Sequence, residues 1–233
     1  MKLFLLLMGV QGSGKGTQAS VLCQAYNLVH VSTGDLFRAL RTRDDEFARK
    51  IQAIMAAGQL VSDADTNDVL RDHLERTDLK NGVIFDGYPR NIAQADWLAS
   101  YLAQRGEKLA AVVLLELDLY TAFKRTFGRV SSADDKHSYN IYFNAEGVEH
   151  RFVKHETDAF PPRIEATLNG QPLKRRPDDA NAGAILNRID DFIKTTSPLV
   201  PYYEGKGLLA KLDALQPIEN VTTQIKAIIE RQR

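Results

Sequence analysis

The sequence predicts an α/β protein: a five-stranded parallel sheet with helices on both faces, carrying a small antiparallel β insert. Three observations predict it. Short apolar runs alternate with stretches of helical periodicity along most of the 233 residues. A glycine-rich loop separates the first apolar run from the first helix. One segment, Val130–Pro177, leaves that pattern and alternates in period two.

Taken in order, Leu3–Met8 reads as a buried strand and Gly9–Gly16 as a loop. The helix that follows puts Ala19, Leu22 and Cys23 on its buried side. Leu28–Val31 is a second strand, and Leu36, Phe37 and Leu40 give Thr33–Leu40 helical spacing. Phe47, Ile51, Ile54 and Met55 repeat that spacing until Gly58 ends the helix, and Asp63 reads as the N-cap of another running to about Arg76. Val83–Asp86, Ala111–Leu117 and Leu208–Leu212 complete the strands, while Ile92–Ala103, Leu119–Gly128, Ile185–Ile193 and Val221–Ile229 complete the helices. Within the insert, Tyr139, Ile141 and Phe143 alternate with Asn140, Tyr142 and Asn144, and Asn169-Gly170 marks a hairpin because both residues tolerate positive φ.

Composition narrows the class. There are 30 Lys+Arg against 30 Asp+Glu, so bulk attraction to nucleic acid is not expected. One cysteine, Cys23, excludes an internal disulfide framework and any Cys-rich zinc site, and reads as a small buried residue in a reducing compartment. The run Leu3–Met8 is too short to span a bilayer and lacks the flanks of a signal peptide. The expectation is a cytoplasmic protein without a membrane partner, working as a monomer.

Gly9-Val10-Gln11-Gly12-Ser13-Gly14-Lys15-Gly16-Thr17 follows a strand and opens a helix, which is the setting of a phosphate-binding loop. Glycines let backbone N–H groups close around a phosphate, the helix N-terminus adds its positive dipole end, and Lys15 supplies a mobile charge.

The loop's form, Gly-x-x-Gly-x-Gly-Lys-Gly-Thr, resembles that of the nucleoside monophosphate kinases, and of the adenylate kinase family most of all. Further stretches match in order: His30-Val31-Ser32-Thr33-Gly34-Asp35-Leu36-Phe37-Arg38, Gly58-Gln59-Leu60-Val61-Ser62-Asp63, Phe85-Asp86-Gly87-Tyr88-Pro89-Arg90 with Gln94, Gly128-Arg129, Arg176-Pro177-Asp178-Asp179 and Arg188. The chain departs from the family pattern at Gln11, where proline is usual, at Ala214 and Gln216, which replace Gly and Lys, and in a lengthened lid at Ala145–Glu165.

The resemblance implies a P-loop kinase core (residues 1–32, 61–129 and 177–233), a helical AMP-binding insert (33–60) and a small antiparallel lid (130–176). It implies Mg²⁺-dependent phosphoryl transfer from ATP to AMP, giving two ADP. Gly12, Ser13, Gly14, Lys15, Gly16 and Thr17 would bind ATP, with Arg129, Ser138, Tyr139 and Gln216. Thr33, Gly34, Arg38, Gln59, Leu60, Val61, Gly87, Tyr88, Pro89, Arg90, Gln94, Arg176 and Arg188 would bind AMP. Lys15, Arg90, Arg129, Arg176 and Arg188, with Asp178 and Asp179, would carry catalysis, and Asp86 would hold Mg²⁺ through its waters.

The chemistry suits these residue types. The attacking phosphate oxygen is already an anion, so no general base is needed, and His30, His73, His137, His150 and His155 all lie outside the catalytic assignments. The arginine fork binds two phosphate oxygens at once. Arg125 lies four residues from Arg129, shares its helix face and stands as a further candidate. Asp178 and Asp179 could cap the next helix or orient the lid arginines; Asp118 reads as a cap for the helix after it. Gln94 offers a donor and an acceptor to adenine's edge. Without a Cys-based zinc site, Tyr139, Ile141, Phe143, Phe152 and Phe160 are expected to form the lid's apolar cluster, and lid closure would exclude water from the transferring group. A UMP or CMP acceptor, and a nucleotide-binding module without catalysis, remain as alternatives. Setting aside the six site cations (Lys15, Arg38, Arg90, Arg129, Arg176 and Arg188), the rest of the chain carries six more acidic than basic side chains, a focused positive site in an acidic body.

Overall fold

The structure is a computed structural model that describes residues 2–56, 61–134, 137–153, 163–176, 179 and 181–232. Gly58, Gln59, Leu60, His155, Phe160, Pro177 and Asp178, all named above, lie outside the described residues. The chain divides into two compact units: Met1–Gly9, Gly14–Leu115 and Thr195–Arg233 form the first, Val10–Ser13 and Glu116–Lys194 the second.

The first unit is built on β1 (Leu3–Met8), α1 (Lys15–Tyr26), β2 (Val29–Ser32), α2 (Thr33–Leu40), α3 (Glu46–Ala56), α4 (Asp63–Glu75), β3 (Gly82–Asp86), α5 (Ile92–Ala103) and β4 (Ala111–Glu116). The five-stranded sheet has β1 at its centre, paired in parallel with β3 and β4, and β2 paired in parallel outside β3. A central strand is covered on both faces, which is why β1 reads Leu-Phe-Leu-Leu-Leu-Met without a polar break and is buried at every position. Successive side chains point to opposite faces. Phe4, Leu6 and Met8 join Val83, Phe85, Val112 and Leu114 in one core with Leu36, Ile51, Leu70, Leu98 and Tyr203. Leu5, Leu7 and Ile84 face the other way and are as deeply buried, together with Leu22 of α1.

The second unit carries α6 (Leu119–Phe127), β5 (Arg129–Ser131), β6 (Ser138–Asn140), β7 (Val148–Val153), β8 (Arg163–Leu168), β9 (Gln171–Leu173) and α7 (Ala182–Asp191), which runs on into a π-helical turn, Phe192–Thr196. A two-stranded sheet, β5–β6, and a three-stranded one, β7–β8–β9, are both antiparallel. The chain then returns to the first unit for α8 (Leu199–Gly205), β10 (Leu209–Asp213), which lies outside β4 at the sheet's other edge, and α9 (Ile218–Glu230), which packs against α1.

Several expectations are corrected here. The N-cap of α4 is Ser62, whose hydroxyl accepts from the Asp65 N–H; Asp63 is the first helical residue. α8 has no counterpart in the periodicity reading, because it is only 7 residues long. The period-two run through Phe143 does not form one strand: β6 stops at Asn140, Asn144 bridges back to it, and Ile141–Phe143 turns. Only part of the proposed aromatic cluster is inside. Ile141 packs with Val130, Val148, Ile164 and Ala166, and Tyr139 lies against that core. Phe143 and Phe152 are 52% and 50% exposed. The second unit's core is instead mainly aliphatic, with Phe127 enclosed in it and Ile185 and Ile189 of α7 completing it. Cys23 is half-buried rather than fully inside, and burial still pushes its thiol up to about 11. The hairpin is as expected, with Asn169 at φ 49° and Gly170 at φ 74° joining β8 to β9.

Candidate active site

The phosphate-binding loop turns where its glycines allow. Val10 O accepts from the Ser13 N–H at 3.2 Å, Gly12 and Gly14 have φ of 84° and 92°, and Gly14 ends the loop as the N-cap residue of α1. Lys15 Nζ donates to Gly9 O at 2.7 Å, so the ammonium folds back across the loop. Thr17 is exposed on the first turn of α1 and Ser13 is buried. Gly12 has a second reason to be glycine. A Cβ there would stand 3.0 Å from Ala122 O and from Arg125 Cβ, so only a bare Cα fits this close to α6. Arg125 Nη1 donates to Gly12 O at 3.4 Å, which tethers that helix to the loop.

In the first unit, residues that the sequence reading assigns to the acceptor lie at the carboxyl ends of β2 and β3, where ligands sit in open α/β sheets. Ser32 closes β2 and caps α2, so Thr33 is the first helical residue and is buried. Its hydroxyl donates to Gly87 O at 3.0 Å. Arg90 reaches the same place, with Nε to Gly87 O at 3.2 Å and Nη2 to Thr33 Oγ1 at 3.4 Å, and remains exposed. Arg38 pairs with Asp35 one helical turn away, over Gly34. Tyr88, before the cis peptide bond to Pro89, is fully buried and donates to Asn67 Oδ1 at 2.5 Å; burial drives its hydroxyl pKa far upward. Gln94 is buried in the first turn of α5, with Oε1 accepting from the Arg90 N–H at 2.8 Å and Nε2 donating to Asp63 Oδ1 at 2.7 Å. Val61 lies just before the Ser62 cap. Asp86 Oδ2 stands 3.5 Å from His30 Nε2 and 3.8 Å from where a Cβ on Gly16 would be, so its carboxylate looks onto bare loop backbone.

The second unit brings two of the other predicted cations, Arg129 and Arg188, onto one carboxylate. Asp179 is completely buried. Its Oδ2 accepts from Arg129 Nε and Nη2 at 2.8 and 2.6 Å, and its Oδ1 from Arg188 Nη1 at 3.0 Å. Of the two roles open to the acidic pair in the sequence, Asp179 therefore orients arginines. The cap of α7 is Asn181, whose Oδ1 accepts from the N–H groups of Gly183 and Ala184. Asp118 does cap α6 through the Thr121 N–H, as expected, and that bond holds its carboxyl below the usual range. Arg176 is exposed, and its carbonyl accepts from the Asp179 N–H at 3.0 Å. Ser138 and Tyr139 lie on β6 opposite Ser131 and Val130. Gln216, after β10, accepts from Gln224 Nε2 at 2.7 Å.

Sequence reasoning passes over two residues of this region. Arg175 donates through Nη2 to Phe127 O at 2.6 Å and to Asp179 O, with its guanidinium over the Phe127 ring, and burial lowers its pKa. It thus ties the end of α6, just before Gly128-Arg129, to the backbone of Asp179. Gln11, read only as a departure, donates from Nε2 to Arg188 O at 3.1 Å and so links the phosphate loop to the helix carrying that arginine. Its signal was present, since a side-chain amide standing where proline is usual invites a hydrogen bond. Among the described residues no three His, Cys, Asp or Glu side chains converge on one metal position.

A parallel sheet whose first strand feeds a glycine-and-lysine loop that opens a helix is the fold of a P-loop kinase. The comparisons with known proteins are specific. The adenylate kinase family profile matches residues 7–208. The chain is 37% identical over 228 residues to an adenylate kinase of Nitrosococcus oceani, covering 98% of this chain and 99% of that one. It is 34% identical over 227 residues to one from Listeria innocua, covering 97% and 98%, and 35% identical over 227 residues to one from a Chelativorans species, covering the same shares. The chain belongs to the adenylate kinase family, and is an enzyme of the nucleoside monophosphate kinase class.

Proposed function

We propose that this enzyme catalyses reversible, Mg²⁺-dependent phosphoryl transfer from ATP to AMP, yielding two ADP and serving nucleotide homeostasis. The observation that carries the reading is the acceptor-side cluster, in which Arg90, Thr33 and Gly87 share hydrogen bonds and the Arg90 N–H is held by Gln94. A phosphate-binding cation and a base-reading amide are thereby fixed to one another. Arg38 and Arg90 take the acceptor phosphate, and Gln94 reads the adenine edge. Thr33, Gly34, Gln59, Leu60, Val61, Gly87, Tyr88 and Pro89 shape the rest of that site. The loop from Gly12 to Thr17 wraps the ATP phosphates, with Ser138, Tyr139 and Gln216 toward the nucleoside.

Lys15 places its charge on the transferring group, and Arg129, Arg176 and Arg188, ordered by Asp179 with Asp178, serve the same group. Their task is alignment and charge stabilisation, because the attacking oxygen needs no deprotonation. Asp86 fits Mg²⁺ held through water: it is a carboxylate at a strand end facing open loop backbone, and it need not ligate the ion directly. When bound, the ion neutralises charge across the phosphates. Residues 1–32, 61–129 and 177–233 form the working core, 33–60 the acceptor insert and 130–176 the lid, without a structural zinc. The enzyme is read as a cytoplasmic monomer acting on small nucleotides, with no nucleic-acid or membrane partner; none of the helices among the described residues is long and apolar enough to cross a membrane.

A coupled assay of ADP formation with AMP, UMP, CMP and GMP as acceptors tests this. AMP should give the highest kcat/KM. Lys15→Ala should lower kcat by about 10²–10³-fold, the loss typical of one transition-state donor, with an unchanged melting temperature. Gln94→Ala should raise the KM for AMP more than that for ATP. Failure of every acceptor, or near-native turnover by Lys15→Ala, overturns the proposal.

A further inference from the structure

We infer that Asp63 sets acceptor specificity as a positioning residue: its carboxylate holds the Gln94 amide in the one orientation that reads a 6-amino purine and refuses a 6-oxo purine. The inference rests on the reading of Gln94 as the base-contacting residue and goes one step beyond it.

The geometry begins at the start of α4. Ser62 supplies the cap, which leaves the Asp63 carboxylate for other partners. It takes three hydrogen bonds from the N-cap and first turn of α5: Asn91 Nδ2 at 3.1 Å to Oδ1 and 2.9 Å to Oδ2, and Gln94 Nε2 at 2.7 Å to Oδ1. The other end of the Gln94 amide meets the Arg90 N–H, with Oε1 accepting at 2.8 Å. These neighbours admit one assignment only. An ionised carboxylate can only accept, and a backbone N–H can only donate. A flipped amide would set Oε1 against the Asp63 carboxylate and Nε2 against the Arg90 N–H, losing both bonds and opposing like partners. Because Gln94 is buried, water is poorly placed to make up the loss. Its backbone is pinned as well, with the Gln94 N–H donating to Asn91 Oδ1 at 2.9 Å.

The amide so fixed has one N–H of Nε2 and one lone pair of Oε1 left to give. A 6-amino purine offers the complement, an acceptor at N1 and a donor at the amino group. A 6-oxo purine offers the reverse, a donor at N1 and an acceptor at O6, and only the flipped amide would suit it. An amide free to turn would serve both bases. The clamp between Asp63 and the Arg90 N–H converts an ambiguous side chain into a selective one, and a site whose polar groups are left mismatched rejects a ligand strongly.

The test measures kcat/KM with AMP and with IMP as acceptors, ATP as donor, for the full-length protein and for Asp63→Asn, Asp63→Ala and Gln94→Ala. Asp63→Asn keeps the shape but can donate as well as accept, so it removes the Asp63 half of the orientation rule with least disturbance of the fold. The AMP:IMP ratio should fall about tenfold in Asp63→Asn, the size of one lost buried hydrogen bond, while the KM for ATP stays within about twofold. In a Gln94→Ala background, Asp63→Asn should add no further change in the ratio. A purely structural role for Asp63 would weaken both acceptors alike and leave the ratio unmoved. An unchanged ratio in the Asp63 variants, with a collapsed one in Gln94→Ala, overturns the clamp and leaves the base reading standing. An unchanged ratio in Gln94→Ala overturns the base reading, and the clamp with it.

Discussion

Asp179 shows how much one buried side chain can organise. It has no exposure, yet its partners Arg129 and Arg188 keep 23% and 33% of their side-chain surface. The carboxylate is fully desolvated, and among the described residues the guanidinium groups of Arg129 and Arg188 offset that cost through direct hydrogen bonds. Asp179→Ala leaves both arginines without their common acceptor. The loss of stability should be about 3 kcal/mol, the low end for breaking a buried pair because the arginines retain some contact with water. Denaturant unfolding measures it, and kcat should fall in the same variant. The sequence showed two adjacent acids and two possible duties. It could not choose between them, because burial and the direction of approach of the arginines belong to the packed second unit. Gln94 is similar: its position four residues after Arg90 was legible, but its engagement by Asp63, 31 residues away in the chain, was not.

Elements obey local rules that the sequence states openly, and they fail at their ends. α2, predicted over Thr33–Leu40, has those bounds, and α5, predicted over Ile92–Ala103, likewise. α7 begins three residues earlier than its apolar spacing suggests, at Ala182, because Asn181 caps it. Asn181→Ala should cost about 1 kcal/mol, and Asn181→Ser much less. Thermal unfolding of the pair checks this, with hydrogen exchange localising the loss to the turn that leads toward Arg188. The phosphate loop carries a sharper requirement. Gly12→Ala combines a positive φ with a 3.0 Å approach to the Ala122 carbonyl, a backbone atom that cannot rotate away. The strained φ alone costs about 1–2 kcal/mol, and the loop must also shift off α6. The KM for ATP should rise at least about tenfold while the acceptor KM changes little, a split that steady-state kinetics reads directly.

Across the whole molecule, 30 basic side chains balance 30 acidic ones, and the pH response follows from a few groups. Hydrogen bonds hold Asp45 and Asp65 below the ordinary carboxylate value of 3.8, first through the Ala48 N–H and through Lys50 respectively. Their contributions are present above that value and are lost as pH falls through the folded-state values. His73 acts earlier. Burial pushes its pKa down from 6.5, so the unfolded chain takes up a proton that the folded chain resists. Stability should therefore begin to decline as pH falls below about 6.5, before the carboxylates respond. The denaturant midpoint should drop between pH 7.5 and 5.5 in the native protein, and His73→Gln should flatten that interval.

The sequence by itself determined the parallel α/β sheet, the phosphate loop, the hairpin at Asn169-Gly170 and the family. Each is written in short-range pattern: a period of two or 3.6, a turn dipeptide, or a motif whose glycines answer to local backbone geometry. Tertiary structure alone decided that Ser62 rather than Asp63 caps α4, that β6 ends at Asn140, that Phe143 and Phe152 stay outside the lid core, and that Asp179 serves Arg129 and Arg188. These outcomes depend on which polar groups lose water and which partners, as far as 50 residues away in the chain, are on hand to replace it. Desolvation is a property of the packed chain, and no window along the sequence contains it.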